Sequence, residues 1–260
     1  MITSVYKYRT LIWNRAIAEF RHRYSGTGIG FGWNILHPAI LIAIYSVVFG
    51  VILHRSFTGL TVPYPLFLCA GLLPWLSFVE CITGGVMSFQ KNAPYLKKLP
   101  VPEQVFVVQT AVTSSMSLFS SFMLLMLVAV IFGQSPSWHW LLLPLPFILL
   151  QIAGFGIGLI LGTLNVFFPD ISQIVNAIMR LAFWATPVLF PVSFFAEHGF
   201  GAFIMLNPAT ASLIAIRDLF LYQTLPSYDI WLSMIAWAVA WVVAGSVVLH
   251  VLRKELRDVL

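Results

Sequence analysis

The chain has 260 residues, of which 60% are hydrophobic and only 9% are Asp, Glu, Lys or Arg. An ordinary soluble domain has about 25% charged residues, so this composition excludes a soluble globular enzyme and indicates an integral membrane protein. The net charge of +5 favours anionic lipid headgroups over nucleic acid as partners, because basic residues collect where membrane helices leave the bilayer.

The N-terminal segment, residues 4–24, has a partly amphipathic helical pattern. One side of the helical wheel carries Val5, Tyr8, Ile12, Trp13, Ala16 and Phe20, and the opposite side carries Lys7, Arg15, Arg21 and His22. We therefore predict a helix that lies on the cytoplasmic leaflet and contacts membrane lipids. A basic tail that only sets the topology is the alternative. We expect no cleavable signal peptide, because the first apolar run begins too late.

Long apolar runs predict the membrane-spanning helices. Residues 104–169 contain no Asp, Glu, Lys or Arg and exceed three times the roughly 20 residues that one span needs. This run therefore holds two spans, divided by the turn-forming residues 133–136. The same reasoning gives six spans, at residues 31–53, 63–88, 104–132, 140–167, 172–190 and 230–251. The runs lack the alternating polarity of a β-barrel, so we predict one all-α membrane domain over residues 1–260.

The basic residues predict the orientation. Lys and Arg accumulate in short cytoplasmic segments. With a cytoplasmic N-terminus, every basic residue lies on the cytoplasmic side except Arg55 and Arg217, outside, and Arg180, within a span. Both termini are therefore predicted to be cytoplasmic.

A basic island broken by prolines, residues 89–103, separates the second and third predicted spans. It contains Asn92, Tyr95, Leu96, Lys97, Lys98 and Leu99. Its prolines predict a short helix with fixed ends on the cytoplasmic side, where a soluble partner could act. The alternative is a solvated loop whose lysines only add to the cytoplasmic excess of basic residues.

Two ionisable residues fall inside predicted spans. Glu80 and Arg180 each lie eight residues from a predicted cytoplasmic end, which places both about 12 Å deep. Charge at that depth is costly and needs a partner. We therefore predict that they form an ion pair, within one subunit or across a dimer, for packing or for gating.

The predicted outside connection, residues 191–228, is too apolar for a soluble loop. We predict short re-entrant helices that dip into the outer leaflet, with backbone groups covered by protein. Pro208, which follows Asn207, should divide them.

Several kinds of chemistry are not indicated. The chain lacks the Gly-x-x-x-x-Gly-Lys-Ser/Thr phosphate loop, the histidines show no metal-ligand spacing, and no Ser, His and acid grouping is evident. Cys69 and Cys81 lie about 18 Å apart along one predicted helix, too far to bond. We expect no metal, cofactor or catalytic site on this chain, so any nucleotide energy comes from another polypeptide.

Five groups of residues in chain order then resemble a known family, the ABC-2 permeases that export polysaccharides of the O-antigen and capsule type. The groups are Tyr24, Ser25, Ile29, Gly30, Phe31, Gly32, Trp33 and Pro38; Asn92, Lys97, Lys98, Leu99, Pro100 and Pro102; residues 161–171; Phe183, Trp184, Thr186, Pro187 and Val188; and Asn207, Pro208 and Arg217. Two positions depart from the usual pattern: Ile29 stands where the family has Leu, and Pro169 where it more often has Arg.

The resemblance implies that this chain is one of the two permease subunits of a transporter. Two copies would pair with two cytoplasmic ATPase subunits, which bind ATP and Mg²⁺, and export undecaprenyl-linked polysaccharide across the bacterial inner membrane through a channel in the permease dimer. The implied coupling residues are Asn92, Tyr95, Leu96, Lys97, Lys98 and Leu99, together with Phe20 and Arg21. The implied periplasmic gate contains Asn207, Pro208 and Arg217.

A glycan channel should carry aromatic faces, on which sugar C–H groups stack. We predict that it is lined by Tyr45, Trp75, Phe78, Phe183 and Trp184. Headgroup anchoring is the alternative for each ring.

Two other functions remain as alternatives for the whole chain. One is an ABC-2 exporter of another substrate (teichoic acid, lipid or drug), and the other is a membrane-embedded enzyme.

Overall fold

The computed structural model describes residues 2–23, 26, 28–52, 62–98 and 100–259. These residues are mostly helical and contain no strand, which confirms the all-α prediction. In chain order the α-helices are α1 (Ile2–Lys7), α2 (Arg9–His22), α3 (Trp33–Tyr45), α4 (Tyr64–Lys91), α5 (Ala93–Lys98), α6 (Gln104–Ile131), α7 (Pro144–Phe167), α8 (Ile171–Trp184), α9 (Val192–Glu197), α10 (Gly201–Met205), α11 (Pro208–Arg217) and α12 (Tyr228–Val259). Tyr24, Ser25, Arg55 and Leu99, used in the predictions, lie outside the described residues.

Five segments of the described chain are long and apolar enough to cross a membrane. They are Gly30–Ile52, Tyr64–Lys91, Gln104–Ile131, Trp138–Phe167 and Tyr228–Arg257. The first joins α3 to a short 3₁₀ turn before it and a π-helical turn after it. These segments coincide with five of the six predicted spans.

The predicted span at residues 172–190 is not one long helix. It contains α8, whose 14 residues rise only about 21 Å, less than the roughly 30 Å of a hydrocarbon core. After Trp184 the chain turns, and residues 186–189 are buried inside the protein. Pro187 contributes to this turn, because proline cannot donate the backbone hydrogen bond that a continuing helix needs.

Helix α4 lies at the centre of the bundle and packs against α6, α7, α8 and α11. Glycines bring the helices close together. A Cβ atom on Gly85 would lie 2.8 Å from the Cα of Gly158 in α7, and a Cβ on Gly156 would lie 2.4 Å from the backbone of Trp241 in α12. Small residues at such crossings let helices in a membrane gain close packing contacts. The α4–α7–α12 layer is therefore a tightly packed frame.

The N-terminal segment forms two helices that meet at Tyr8. Helix α2 packs on α6, and Ile12 and Ala16 are buried there. Trp13 and Phe20, predicted on the same side, instead border a separate apolar cavity beside Phe31. This segment is therefore helical but is not one continuous helix, and its apolar side chains are divided between the protein and this cavity.

Candidate functional site

A cavity of about 600 Å³ lies between α3, α4 and α8. Four of the five predicted channel residues, Tyr45, Trp75, Phe183 and Trp184, line it. The ring of Phe183 stacks on Tyr45 with a centroid distance of 5.8 Å and lies 6.5 Å from Trp75. The structure therefore brings together aromatic rings from three helices that are far apart in sequence.

Phe78, the fifth predicted channel residue, does not line this cavity. Its side chain is only 2% exposed, and a Cβ added to Gly154 of α7 would lie 3.2 Å from its ring. Trp75 and Phe78 are three residues apart, so their side chains leave α4 about 60° apart. That difference directs Phe78 towards α7 and Trp75 towards α8.

Arg180 lies on the wall of the same cavity, on an exposed part of α8. Its Nε atom donates a hydrogen bond of 3.2 Å to the backbone carbonyl of Asn176, one turn earlier. The cavity thus combines an apolar, aromatic wall with a guanidinium group.

The predicted ion pair between Glu80 and Arg180 does not form within one chain. Glu80 instead pairs with Arg23, at the end of α2, with an N–O distance of 2.5 Å. The hydroxyl of Ser117 in α6 donates a second hydrogen bond to the same carboxylate oxygen, at 3.0 Å. Equal depth of Glu80 and Arg180 does not identify the partner of Glu80 within one chain. Helix α2 places Arg23 next to Glu80 on that side of α4.

The basic island contains the predicted short helix, α5, which begins directly after α4. Pro94 lies in its first turn, and Pro100 and Pro102 follow its end. Tyr95, Lys97 and Lys98 are exposed. These three side chains form a surface that we call the α5 surface.

Asn92 and Leu96, also predicted to contact the ATPase, face the protein instead. Leu96 is 5% exposed and belongs to a core cluster with Ile12, Phe89 and Leu256. The Asn92 amide donates a hydrogen bond of 2.8 Å to the carbonyl of Ser88. Both residues therefore hold α5 in place.

Two further coupling residues were predicted in α2. Arg21 is exposed, while Phe20 packs edge-on against Phe31.

Arg15 joins α2 to the island. Its Nη2 atom donates to Oδ1 of Asn92 at 2.6 Å, and its Nε atom donates to Oε1 of Gln109 in α6 at 2.9 Å. The guanidinium carbon lies 4.2 Å from the ring centroid of Tyr95, which is a cation–π distance. Gln109 in turn donates to Glu19 of α2. A polar network thus connects three separate segments.

Glu103 joins the end of the island to α12. Its side chain is fully buried and lies between two arginines of α12. Arg257 donates a hydrogen bond to Oε1, while Arg253 Nε lies 2.8 Å from Oε2 as an ion pair without hydrogen-bond geometry. The C-terminal part of α12 is therefore attached to the same region as α2 and α5.

Asn207 and Pro208, two of the predicted gate residues, begin α11. The Oδ1 atom of Asn207 accepts a hydrogen bond of 3.0 Å from the backbone N–H of Ala209, as an N-cap residue does. Its Nδ2 atom donates to the hydroxyl of Thr186 at 2.6 Å. Asn207 therefore ties the start of α11 to the turn after α8.

Arg217, the third predicted gate residue, ends α11 and is 4% exposed. It donates hydrogen bonds to the carbonyls of Pro187 and Val188, and its guanidinium carbon lies 3.7 Å from the ring centroid of Phe67. A Cβ on Gly71 would lie 2.4 Å from Nη2 of Arg217, so glycine makes room for this side chain.

Sequence reasoning missed four arginine contacts: Arg15 with Asn92, Arg23 with Glu80, and both Arg253 and Arg257 with Glu103. Each joins segments that are distant in the sequence. A detectable signal existed only for Glu103, an acidic residue at the end of a basic island.

Comparison with known proteins matches residues 10–221 to the family described as ABC-2 type transporter. The chain is 27% identical to the O-antigen export system permease protein RfbA of Myxococcus xanthus over 259 residues, which cover 99% of this chain and 98% of that protein. It is 29% identical over 208 residues to an RfbA protein of Klebsiella pneumoniae, covering 80% and 78%. It is 24% identical over 213 residues to the polysialic acid transport protein KpsM of Escherichia coli, covering 82% and 80%.

The family match covers more than half of the chain and confirms the resemblance inferred from the five residue groups. Together with the five long apolar helices, it establishes a multi-pass membrane protein. The chain belongs to the ABC-2 type transporter family of membrane permeases.

Proposed function

We propose that this chain is the permease subunit of an ATP-driven transporter that exports lipid-linked polysaccharide, of O-antigen or capsular type, across the bacterial inner membrane. The observation that carries the proposal is the similarity over 99% of the chain to an O-antigen export permease. The aromatic cavity of α3, α4 and α8 supports it, because rings suit the apolar faces of sugars.

Two copies of the chain form the channel, and two cytoplasmic ATPase subunits, with ATP and Mg²⁺ bound to them, drive it. The α5 surface and Arg21 contact the ATPase. Arg15 and Asn92 pass the movement of α5 to α2, and Glu103 passes it to α12. The chain itself acts as a transport subunit and not as an enzyme.

Both termini and α5 lie in the cytoplasm in this proposal. Helix α8 and the turn at residues 185–190, of which residues 186–189 are buried, together complete a sixth crossing, since irregular backbone is tolerated at membrane depth where protein covers it. Helices α9 to α11 form the periplasmic side, and α11 reaches the level of Phe67 and Gly71 in α4. That position supports a re-entrant segment, with Asn207, Pro208 and Arg217 as part of a gate.

Depletion of this chain in its own bacterium tests the proposal. We expect surface polysaccharide to disappear while lipid-linked polysaccharide accumulates on the cytoplasmic side, and the wild-type gene to restore export. The matched control inactivates the phosphate-loop lysine of the partner ATPase and should give the same accumulation. Unchanged surface polysaccharide, with a different lipid or a drug retained in the cell, would contradict the proposal.

A further inference from the structure

Arg180 occupies an unusual place for a charged residue. It lines the cavity beside Leu76 and Val79, near the midpoint of the 28-residue helix α4. Nine residues separate it from the start of α8, which corresponds to about 14 Å along the helix axis. In a membrane protein such a position is far from both headgroup layers, where a charged side chain is costly unless it faces protein, water or a ligand.

No carboxylate of the described chain neutralises Arg180. The described side chains include every acidic residue except Asp258, which lies at the end of α12. None of these carboxylates lies within ion-pair distance of the guanidinium group, and Glu80 is occupied by Arg23. The positive charge of Arg180 is therefore uncompensated within the described part of one subunit.

The guanidinium group also retains hydrogen-bonding capacity. Its Nε atom donates to the Asn176 carbonyl, which fixes the side chain along α8 and leaves the four N–H groups of the two terminal nitrogens. Those groups make no hydrogen bond to the described residues. Arginine presents them as a planar fork that matches phosphate and carboxylate oxygens.

The surroundings suit an amphipathic ligand. Tyr45, Trp75, Phe183 and Trp184 supply apolar ring faces, while Asn176 and Arg180 supply the polar groups. A volume of about 600 Å³ lies within the range of small-ligand sites. The cavity can therefore hold a charged group together with part of a sugar or a lipid chain.

We propose that Arg180 binds an anionic group of the transported molecule inside this cavity. The group is the diphosphate of a polyprenyl carrier or the acid of a charged sugar in the glycan, since both present the oxygens that a guanidinium fork recognises. This inference rests on the proposed function and narrows it: the substrate reaches the cavity as an anion.

The test uses the purified permease–ATPase complex in lipid nanodiscs and its intrinsic tryptophan fluorescence, to which Trp75 and Trp184 of the cavity contribute. Undecaprenyl diphosphate and undecaprenol are titrated as a pair that shares the polyprenyl chain and differs in the presence of the anionic diphosphate. We expect the diphosphate to bind more tightly, and Arg180→Gln to reduce that preference about ten-fold, as expected when a charge-assisted hydrogen bond is removed. Arg180→Lys should retain part of it. Gln173→Ala, exposed on the same helix but outside the cavity, is the matched control and should behave as wild type.

A second titration separates the two sources of charge. An oligosialic acid and a neutral oligosaccharide of equal length are compared in the same complexes. Preference for undecaprenyl diphosphate alone assigns the site to the lipid carrier, and preference for the acidic oligosaccharide assigns it to the glycan. If neither anion is preferred by the wild type, or if Arg180→Gln keeps the preference, the proposal is wrong.

Export by the wild-type cells is measured separately. If the wild type exports polysaccharide while Arg180→Gln keeps the anion preference, only the Arg180 inference fails. If the wild type exports none, the proposed function fails whatever the titration gives. If an acidic residue of a second copy is the true partner, Arg180→Glu will be rescued by reversing that acid, and anion binding will not change, which also overturns the proposal.

Discussion

The guanidinium group of Arg15 donates a hydrogen bond of 2.6 Å to Oδ1 of Asn92, although 77 residues separate them. Arg15 belongs to α2, and Asn92 lies at the junction of α4 and α5. The same guanidinium group lies over the ring of Tyr95. Because one side chain contacts both the helix junction and the α5 surface, α2 and α5 should move as one unit.

A double-mutant cycle of Arg15→Gln and Asn92→Ala tests this relationship. A hydrogen bond to a charged group contributes about 1.5–3 kcal/mol, so each single change should lower both export and substrate-stimulated ATP hydrolysis. The double mutant should be little worse than the poorer single mutant, because the two residues share one interaction. Arg9→Ala is the control, since Arg9 contacts Tyr6 in the same segment. Strictly additive losses would show that the two residues act independently.

Tyr95→Asp and Leu96→Asp should have different effects although the residues are adjacent. Tyr95 is 46% exposed and Leu96 is 5% exposed. Tyr95→Asp should abolish export and leave the amount of inserted protein and its melting temperature nearly unchanged. Leu96→Asp should destabilise the protein itself, because it places a charge in an apolar cluster at a cost of several kcal/mol. Measuring membrane-inserted protein, melting temperature and export for both variants separates the roles. Equal loss of inserted protein in both would contradict the assignment of Tyr95 to the ATPase contact.

Charge reversal should identify the partner of Glu80. The structure pairs it with Arg23 at 2.5 Å, so Glu80→Arg or Arg23→Glu alone should leave like charges together and reduce export. The combination of both changes should restore a substantial part of the activity. The combination of Glu80→Arg with Arg180→Glu should not. Rescue by the second combination, measured as surface polysaccharide at equal protein levels, would instead indicate a pair with Arg180 across a dimer.

Features set by local pattern could be predicted from the sequence. Long apolar runs predicted six spans, of which five are long helices in the described chain, and prolines at both ends predicted α5. The turn after Trp184 could not be predicted, because its residues are as apolar as a span and only their packing distinguishes the two. Helix α5 has six residues, too few for a periodic pattern to separate Leu96 from Tyr95.

Contacts between distant segments depend on how each helix is rotated about its own axis. The sequence does not specify that rotation. The depth of Glu80 and Arg180 along their helices does not determine which side of each helix faces a partner. Phe78 illustrates the same limit, because a 60° difference from Trp75 directs it to α7. Arg23 could be assigned to Glu80 only once the packing of α2 on α6 was known.

Gly71→Ala should disturb the protein as strongly as a change to Arg217 itself. A Cβ at residue 71 would lie 2.4 Å from Nη2 of Arg217 and 3.1 Å from the carbonyl of Val188. The guanidinium group would have to move, and its hydrogen bonds to Pro187 and Val188 would weaken. Overpacking alone typically costs about 1–3 kcal/mol, so we expect a lower melting temperature of the purified complex and reduced export. Gly28→Ala is the matched control, because a Cβ there meets nothing within 4 Å. If Gly71→Ala melts like the control while Arg217→Ala is unstable, the close approach of Arg217 to α4 is not what holds the turn at residues 185–190.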